Sequence, residues 1–316
     1  MRRNLLILIG VLVGLIVIAL ILERPFGGGE KEEVKPLFPG FDPQAVVKVE
    51  IKDAGTTTVL KKTKGGWAVE TARNYPADEE AVKEMFDEVK GMTTEELISR
   101  DPSKHSRFRV NEEGVEVKMF GEGDKLLAHL FVGKTGPDYI STYVRRADSN
   151  DVYLIRRTLR PVFAKGKTGW CDKEILSFDE DRAVQIEIVN EGKKVVLKKD
   201  GEWKMVEPEE AKVKADEIDR MLRELSKLKA DDLEIEKELK ECGLEKPSAE
   251  VSVKLDDGTV YRIFFGDESD GKRYLRAEGK EQIFMVYKYK VKRILKTADE
   301  LKEEEGKGEG EGQKKE

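Results

Sequence analysis

The residues best suited to chemistry are few and scattered. His105 and His129 are the two histidines of this 316-residue chain, the first in a polar loop beside Lys104 and Arg107, the second on the alternating stretch Leu126–Val132. A metal site needs several His, Cys or carboxylate ligands at compatible spacing, and neither histidine has that company, so no metal is expected. The two cysteines, Cys171 and Cys242, are too few for a disulfide scaffold and too far apart for a ligand cluster, and read as ordinary thiols. Gly133-Lys134-Thr135-Gly136 lacks the upstream glycine of a phosphate-binding loop and reads as a turn between strands. The paired acids Glu95-Glu96 and Asp231-Asp232 offer acid/base groups but sit where helices end, as solvated residues do. No Gly-x-Ser-x-Gly elbow marks a nucleophile, so no catalytic residue and no cofactor is assigned. Trp67 and Trp203 recur at equivalent points of the chain, which favours a place in the core. The best candidate interaction surface is a twice-written aromatic–cation pair, Tyr143 with Arg145 and Tyr274 with Arg276.

The elements carrying these residues are themselves written twice, at an offset of about 136. Val47, Val49 and Ile51 alternate as Val184, Ile186 and Ile188 do, the pattern of a half-buried strand. Val59-Leu60-Lys61-Lys62 recurs as Val196-Leu197-Lys198-Lys199. Val82, Met85, Phe86, Val89 and Met92 fall at helical spacing, matched by Ile218, Met221, Leu222, Leu225 and Leu228, with Asp78 and Asp216 as the expected N-caps. Four strands follow in each copy, with turns at Gly121-Glu122-Gly123 and Asp256-Asp257-Gly258, and each copy closes on a short basic helix near Leu159–Lys165 or Tyr289–Lys296. The expected unit is β-β-β-α-β-β-β-β-α. Residues 45–168 make the first repeat and 183–300 the second, an α+β chain of two tandem antiparallel-sheet-plus-helix modules. The short joint, 169–182, holds Ile175, Leu176 and Phe178, which predicts modules packed on one another.

Residues 1–22 read as a cytoplasmic N-terminus and membrane anchor. Leu5–Leu22 carries no charge over 18 residues, enough to span roughly 27 Å of a hydrocarbon core about 30 Å thick. It exceeds the usual secretory apolar stretch and lacks a small-x-small cleavage site. Arg2 and Arg3 keep the N-terminus cytoplasmic, so everything after Leu22 is extracytoplasmic, periplasmic in a double-membrane bacterium. Residues 23–44 read as a linker, and 301–316 as a disordered acidic and Lys-rich tail. The 58 basic and 64 acidic residues nearly cancel, at net −6, which argues against a nucleic-acid partner.

Gly65-Gly66-Trp67, then Tyr75-Pro76-Ala77-Asp78 opening a helix, resembles the domain of unknown function 4340 family. So do Cys242-Gly243-Leu244-Glu245-Lys246-Pro247 before a strand and the joint Cys171–Asp179; the first copy departs, with Phe108-Arg109-Val110 in place of Gly-Leu-x-x-Pro. The resemblance implies an envelope protein, some relatives being linked to auxiliary components of ABC-type transporters or gliding machinery, and carries over no catalytic residue. Topology and resemblance together point to a non-enzymatic, single-pass, membrane-anchored scaffold or accessory subunit of a membrane complex, with ABC-type transporter subunits as partners. The alternative is a ligand-binding module gripping a glycan, lipid or peptide between the repeats; a weaker one is an envelope hydrolase.

Overall fold

Val49 and Ile51 face inward between Lys48, Glu50 and Lys52, and this alternation sets the pleat of the first strand. The computed structural model describes residues 33–303. The reading of residues 5–22 as an anchor lies outside the described residues; within them no helix is long and apolar enough to cross a membrane.

In the first module β1 (Lys48–Asp53), β2 (Thr56–Thr63), β3 (Gly66–Val69) and β4 (Tyr75–Pro76) lead to α1 (Glu79–Gly91). There follow β5 (Leu97–Ser99), the short α2 (His105–Phe108), β6 (Val115–Phe120), β7 (Leu126–Thr135), β8 (Thr142–Arg146) and β9 (Val152–Ile155), then α3 (Arg160–Phe163) and α4 (Gly166–Gly169). The second module repeats the order: β10 (Ala183–Asn190), β11 (Lys193–Asp200), β12 (Glu202–Glu207), β13 (Ala211–Lys212), α5 (Ala215–Ser226) and β14 (Asp232–Glu234), then β15 (Ala249–Leu255), β16 (Val260–Ser269), β17 (Lys272–Ala277), β18 (Ile283–Tyr287), α6 (Lys288–Ile294) and α7 (Ala298–Leu301).

Each module folds into one nine-stranded antiparallel sheet with the same topology, β4-β3-β2-β1-β6-β7-β8-β9-β5 and β13-β12-β11-β10-β15-β16-β17-β18-β14. Register is shared too: Val49 faces Leu60 as Ile186 faces Leu197, and Ile51 faces Val117 as Ile188 faces Val251. Seven strands per module were expected; the additional two, β4 and β5 or β13 and β14, are two- and three-residue edge pieces too short to show alternation.

Helices α1 and α5 bury Val82, Met85, Phe86 and Val89, and Ile218, Met221, Leu222 and Leu225, in the core, each side chain adding roughly 1.5–3 kcal/mol. Asp78 caps α1, its carboxylate accepting from the Glu80 and Ala81 amides at 3.0 Å. The second helix corrects the expected symmetry. Its N-cap is Lys214, with no side-chain cap, and Asp216 lies inside the first turn, where its charge still favours the helix dipole.

The opposite face of each sheet is covered by an excursion ahead of β6 or β15. In the first module α2 brings Phe108 and Val110 onto Phe131 and Val152; in the second Cys242 and Leu244 lie on Tyr274 and Ile283. Each excursion turns back through a left-handed residue, Arg109 at φ 55° and Gly243 at φ 69°. The departure from the family pattern thus places a side chain where glycine is free of strain. Arg109→Gly is expected to stabilise the chain by about 1 kcal/mol, raising Tm by about 2–4 °C in a thermal melt.

The joint is a strap with two roles. Residues 170–172 close the first module, Asp78 donating to the Trp170 carbonyl at 2.8 Å and Asp172 to Pro76 at 2.9 Å. Residues 173–175 open the second, Ile175 donating to Leu228 at 2.8 Å and Ala230 to Lys173 at 2.8 Å. The chain ends repeat both halves: Leu37 donates to Met92 and Thr94 to Lys35, while Lys214 donates to Leu301 and Glu303 to Lys212. Two expected boundaries therefore move. Lys35–Phe41 belongs to the first module, burying Leu37, Phe38 and Phe41, and Leu301 is fully buried in the second. Trp170, Cys171, Ile175 and Leu176 run the two cores into one.

Candidate functional site

Both modules line a cleft of about 340 Å³ between the turn after β3 and the far edge of the second sheet, at the lower end of typical small-molecule sites. One wall is Ala72-Arg73-Asn74-Tyr75, the other Leu233–Ile235, Lys237–Leu239 and Glu281–Ile283. Arg73 and Asn74 both sit at φ 57°, an uncommon conformation for such residues. That bend sends the Arg73 guanidinium across the cleft, where it donates to the Glu236 carbonyl at 2.9 Å and lies 3.8 Å from the Glu238 carboxylate. Tyr75 is buried on the near wall, and that burial, with Asp172 and Cys171 adding to it, pushes its phenol above the ordinary range. On the far wall Lys237 donates to the Tyr274 hydroxyl at 2.6 Å; that hydrogen bond holds its ammonium above its usual value. Glu238 and Glu241 form a capping box that orders the turn beneath it. The cleft thus has an aliphatic floor and a rim of mixed charge. It can grip a small amphipathic molecule; no group of three or more metal-ligating side chains occurs among the described residues. Sequence reasoning missed Arg73 and Lys237, whose roles depend on the module packing.

The four predicted surface residues lie elsewhere, a pair in each sheet, and two are not surface at all. Arg145 is 8% exposed; its guanidinium donates to the carbonyls of Val110 at 2.8 Å, Arg146 at 3.0 Å and Ser149 at 2.9 Å. Tyr274 is 2% exposed. Tyr143, half-buried, packs on Phe108 with ring centroids 4.6 Å apart. Arg276, half-buried, lies 4.9 Å from the Phe264 ring, as Arg145 lies 4.6 Å from Phe131. In both sheets the arginine stands on its cross-strand neighbour. The repeat of Tyr-x-Arg is explained by packing of the outer sheet face.

The remaining chemical residues are likewise held in structure. Trp67 packs on Phe86 at 5.4 Å, and Trp203 is half-buried against the core. His105 contacts the Asn150 carbonyl at 3.1 Å and His129 the Glu116 carboxylate at 2.8 Å, on separate elements. Asp231 accepts from Lys290 at 2.8 Å and from the Tyr287 amide at 2.9 Å, while Asp232 pairs with Lys272. Gly133–Thr135 is the end of β7, not a turn.

Both cysteines are free and buried. Burial pushes the Cys171 thiol up to about 12 and that of Cys242 up to about 11. Since the thiolate is the reactive form, labelling at pH 8 is expected to be about a hundredfold or more slower in the folded chain than after unfolding, which a thiol-reagent time course measures.

Two nine-stranded sheets of one topology, sharing a strap and a core, define a tandem α+β protein. The chain belongs to the family described as a domain of unknown function (DUF4340), which it matches over residues 67–247 and again over 203–305. The two matches begin at Trp67 and Trp203, the same point of β3 and β12. No curated protein and no solved structure matches the chain.

Proposed function

We propose that this chain is a non-enzymatic, membrane-anchored scaffold or accessory subunit of an extracytoplasmic membrane complex, with an ABC-type transporter as the first partner to test. The observation that carries this reading is the strap of residues 170–178, which closes one module and opens the next with no free spacer between them. A scaffold must hold partners at a fixed separation, and a joint hydrogen-bonded on both sides does so where a flexible linker would not. Leu5–Leu22 supplies the anchor in this reading and Arg2 and Arg3 its orientation. In-cell crosslinking, purification of the full chain in mild detergent and mass spectrometry test it. Transporter subunits recovered in a stable ratio support it; a monomer with no membrane partner contradicts it.

A second reading is favoured by the cleft alone: a ligand-binding module whose small amphipathic ligand lies between Tyr75 and Ile283, beneath Arg73. Arg73→Ala would then weaken ligand binding without unfolding the chain, since its side-chain contacts are exposed. Binding of a glycan, lipid or peptide that is unchanged in that variant removes this reading.

A further inference from the structure

One end of both sheets carries most of the large apolar side chains that the body leaves exposed. In the first module β7 and β8 are joined by a six-residue loop, 136–141, where the second module joins β16 to β17 with two residues, 270–271. The longer loop is therefore not required by the fold. Its tip holds Tyr139 at 84% exposure, with φ 62°, and Ile140 at 64%. The tip is preformed: the Asp138 carboxylate accepts from the amides of Ile140 at 3.2 Å and Ser141 at 2.9 Å. At the corresponding end of the second module Tyr287 and Tyr289, 43% and 53% exposed, stack at 5.9 Å.

Cations gather at the same end. The segment leaving β9, residues 156–167, has five basic residues and no acidic one, and the segment leaving β18, residues 287–297, has the same five and none. These are the twin basic closing segments of the repeat. Thr158 donates to the Ile140 carbonyl at 3.5 Å, which ties the first segment to the apolar tip, and the Lys288 amide donates to Gly271 at 3.1 Å in the second. Lys272 lies 5.4 Å from the Tyr287 ring and Arg293 5.4 Å from the Tyr289 ring. The two ends are continuous: α4 touches β14, where Thr168 bonds to Asp232, and Asp232 pairs with Lys272. Several cations have carboxylate neighbours: Lys290 with Asp231 and Lys296 with Glu217 are half-buried pairs, and Arg293 reaches a half-buried Glu224, whereas Arg156 with Glu96 is exposed and holds weakly.

Tyrosine with lysine and arginine around a protruding aliphatic residue is the composition of the headgroup layer of a bilayer, where the ring lies at the interface and the cation meets phosphate. We propose that this end of the two sheets is a lipid-facing surface that seats on anionic bilayer. It rests on the reading of residues 5–22 as an anchor and is independent of which protein partner the chain has. The chain enters the first module at the opposite end of β8, where Arg146 donates to the Leu37 carbonyl at 3.2 Å. The five residues of β8 extend about 16 Å, while residues 23–34 can span at most about 40 Å, so the chain reaches far enough to turn this end toward the membrane.

The test uses the full chain reconstituted in vesicles of phosphatidylcholine with phosphatidylglycerol, with no other protein present. Tyr139→Cys, Tyr289→Cys and, at the far end of the first sheet, Glu122→Cys are each labelled with a nitrobenzoxadiazole dye; the native thiols are buried and stay unlabelled. Dithionite bleaching of the dye outside the vesicles is expected to be about tenfold slower at 139 and 289 than at 122, as for a side chain inserted at the interface. The dye is common to all three sites, so its own affinity for lipid cannot give that difference. Equal bleaching at the three sites overturns the proposal, as does equal protection at all three. Neither result bears on a protein partner, which the crosslinking experiment decides separately.

Discussion

Replacing Trp170 with alanine is expected to cost about 3–5 kcal/mol, the range for truncating a fully buried large aromatic. Trp170 is wholly buried where the two cores meet, and its carbonyl accepts the Asp78 amide at the start of α1. A cavity there loosens the strap on which the second module opens, so the variant should also lose cooperativity, with the modules melting apart in calorimetry. Phenylalanine is the informative companion. Among the described residues the buried Trp170 indole N–H has no acceptor, so Trp170→Phe removes that donor while leaving most of the ring volume filled. It should cost well under half as much as alanine. Equal losses for the two variants would mean that the indole itself, and not the filled volume, holds the joint.

Gly266→Ala should be comparably damaging for the opposite reason. A Cβ at Gly266 would lie 2.0 Å from the Cys242 carbonyl oxygen and 3.0 Å from Leu244. The obstacle is main chain and cannot rotate away, so overpacking reaches the upper end of its range, about 3 kcal/mol or more, measured by denaturant unfolding. Gly133 meets the Phe108 carbonyl at 2.3 Å in the same way, and Gly133→Ala should fall close behind. Gly91, with nothing within 4 Å, is the control: at the last position of α1 its change to alanine is expected to be neutral or to stabilise by up to about 1 kcal/mol. The twin glycines explain why Leu130-Phe131-Val132-Gly133 recurs as Ile263-Phe264-Phe265-Gly266: the excursion over the outer sheet face rests its backbone on that position.

That excursion also separates what was legible in the sequence from what was not. Strand alternation at Val49 and Ile51, the helical spacing of Val82 to Val89 and the offset between copies are local patterns, and they led to the tandem α+β architecture with its sheets and helices in the right order. Tyr143-x-Arg145 and Tyr274-x-Arg276 were read as a surface because the aromatic–cation pair is written twice. Only the fold shows that Phe108, Val110 and Leu244 return to cover that face. Asp216 was mistaken for a cap on residue type: at the offset of 136 the counterpart of Asp78 is Lys214, and Asp216 falls two residues later, inside the helix. The cleft was foreseen as a space between the repeats but not in its residues, since Arg73 and Lys237 meet through module packing that no local spacing encodes. Tyr139 and Ile140 could have been noticed, because they fall where the first copy is two residues longer between Gly133 and Tyr143 than the second between Gly266 and Tyr274.

The two modules form one mechanical body because a single strap belongs to both, and scanning calorimetry of the full chain in mild detergent tests this most directly. One transition is expected, with calorimetric and van't Hoff enthalpies equal, as for a unit that folds as a whole. Two resolved transitions, or a calorimetric enthalpy well above the van't Hoff value, would show that the modules unfold independently and would contradict the account.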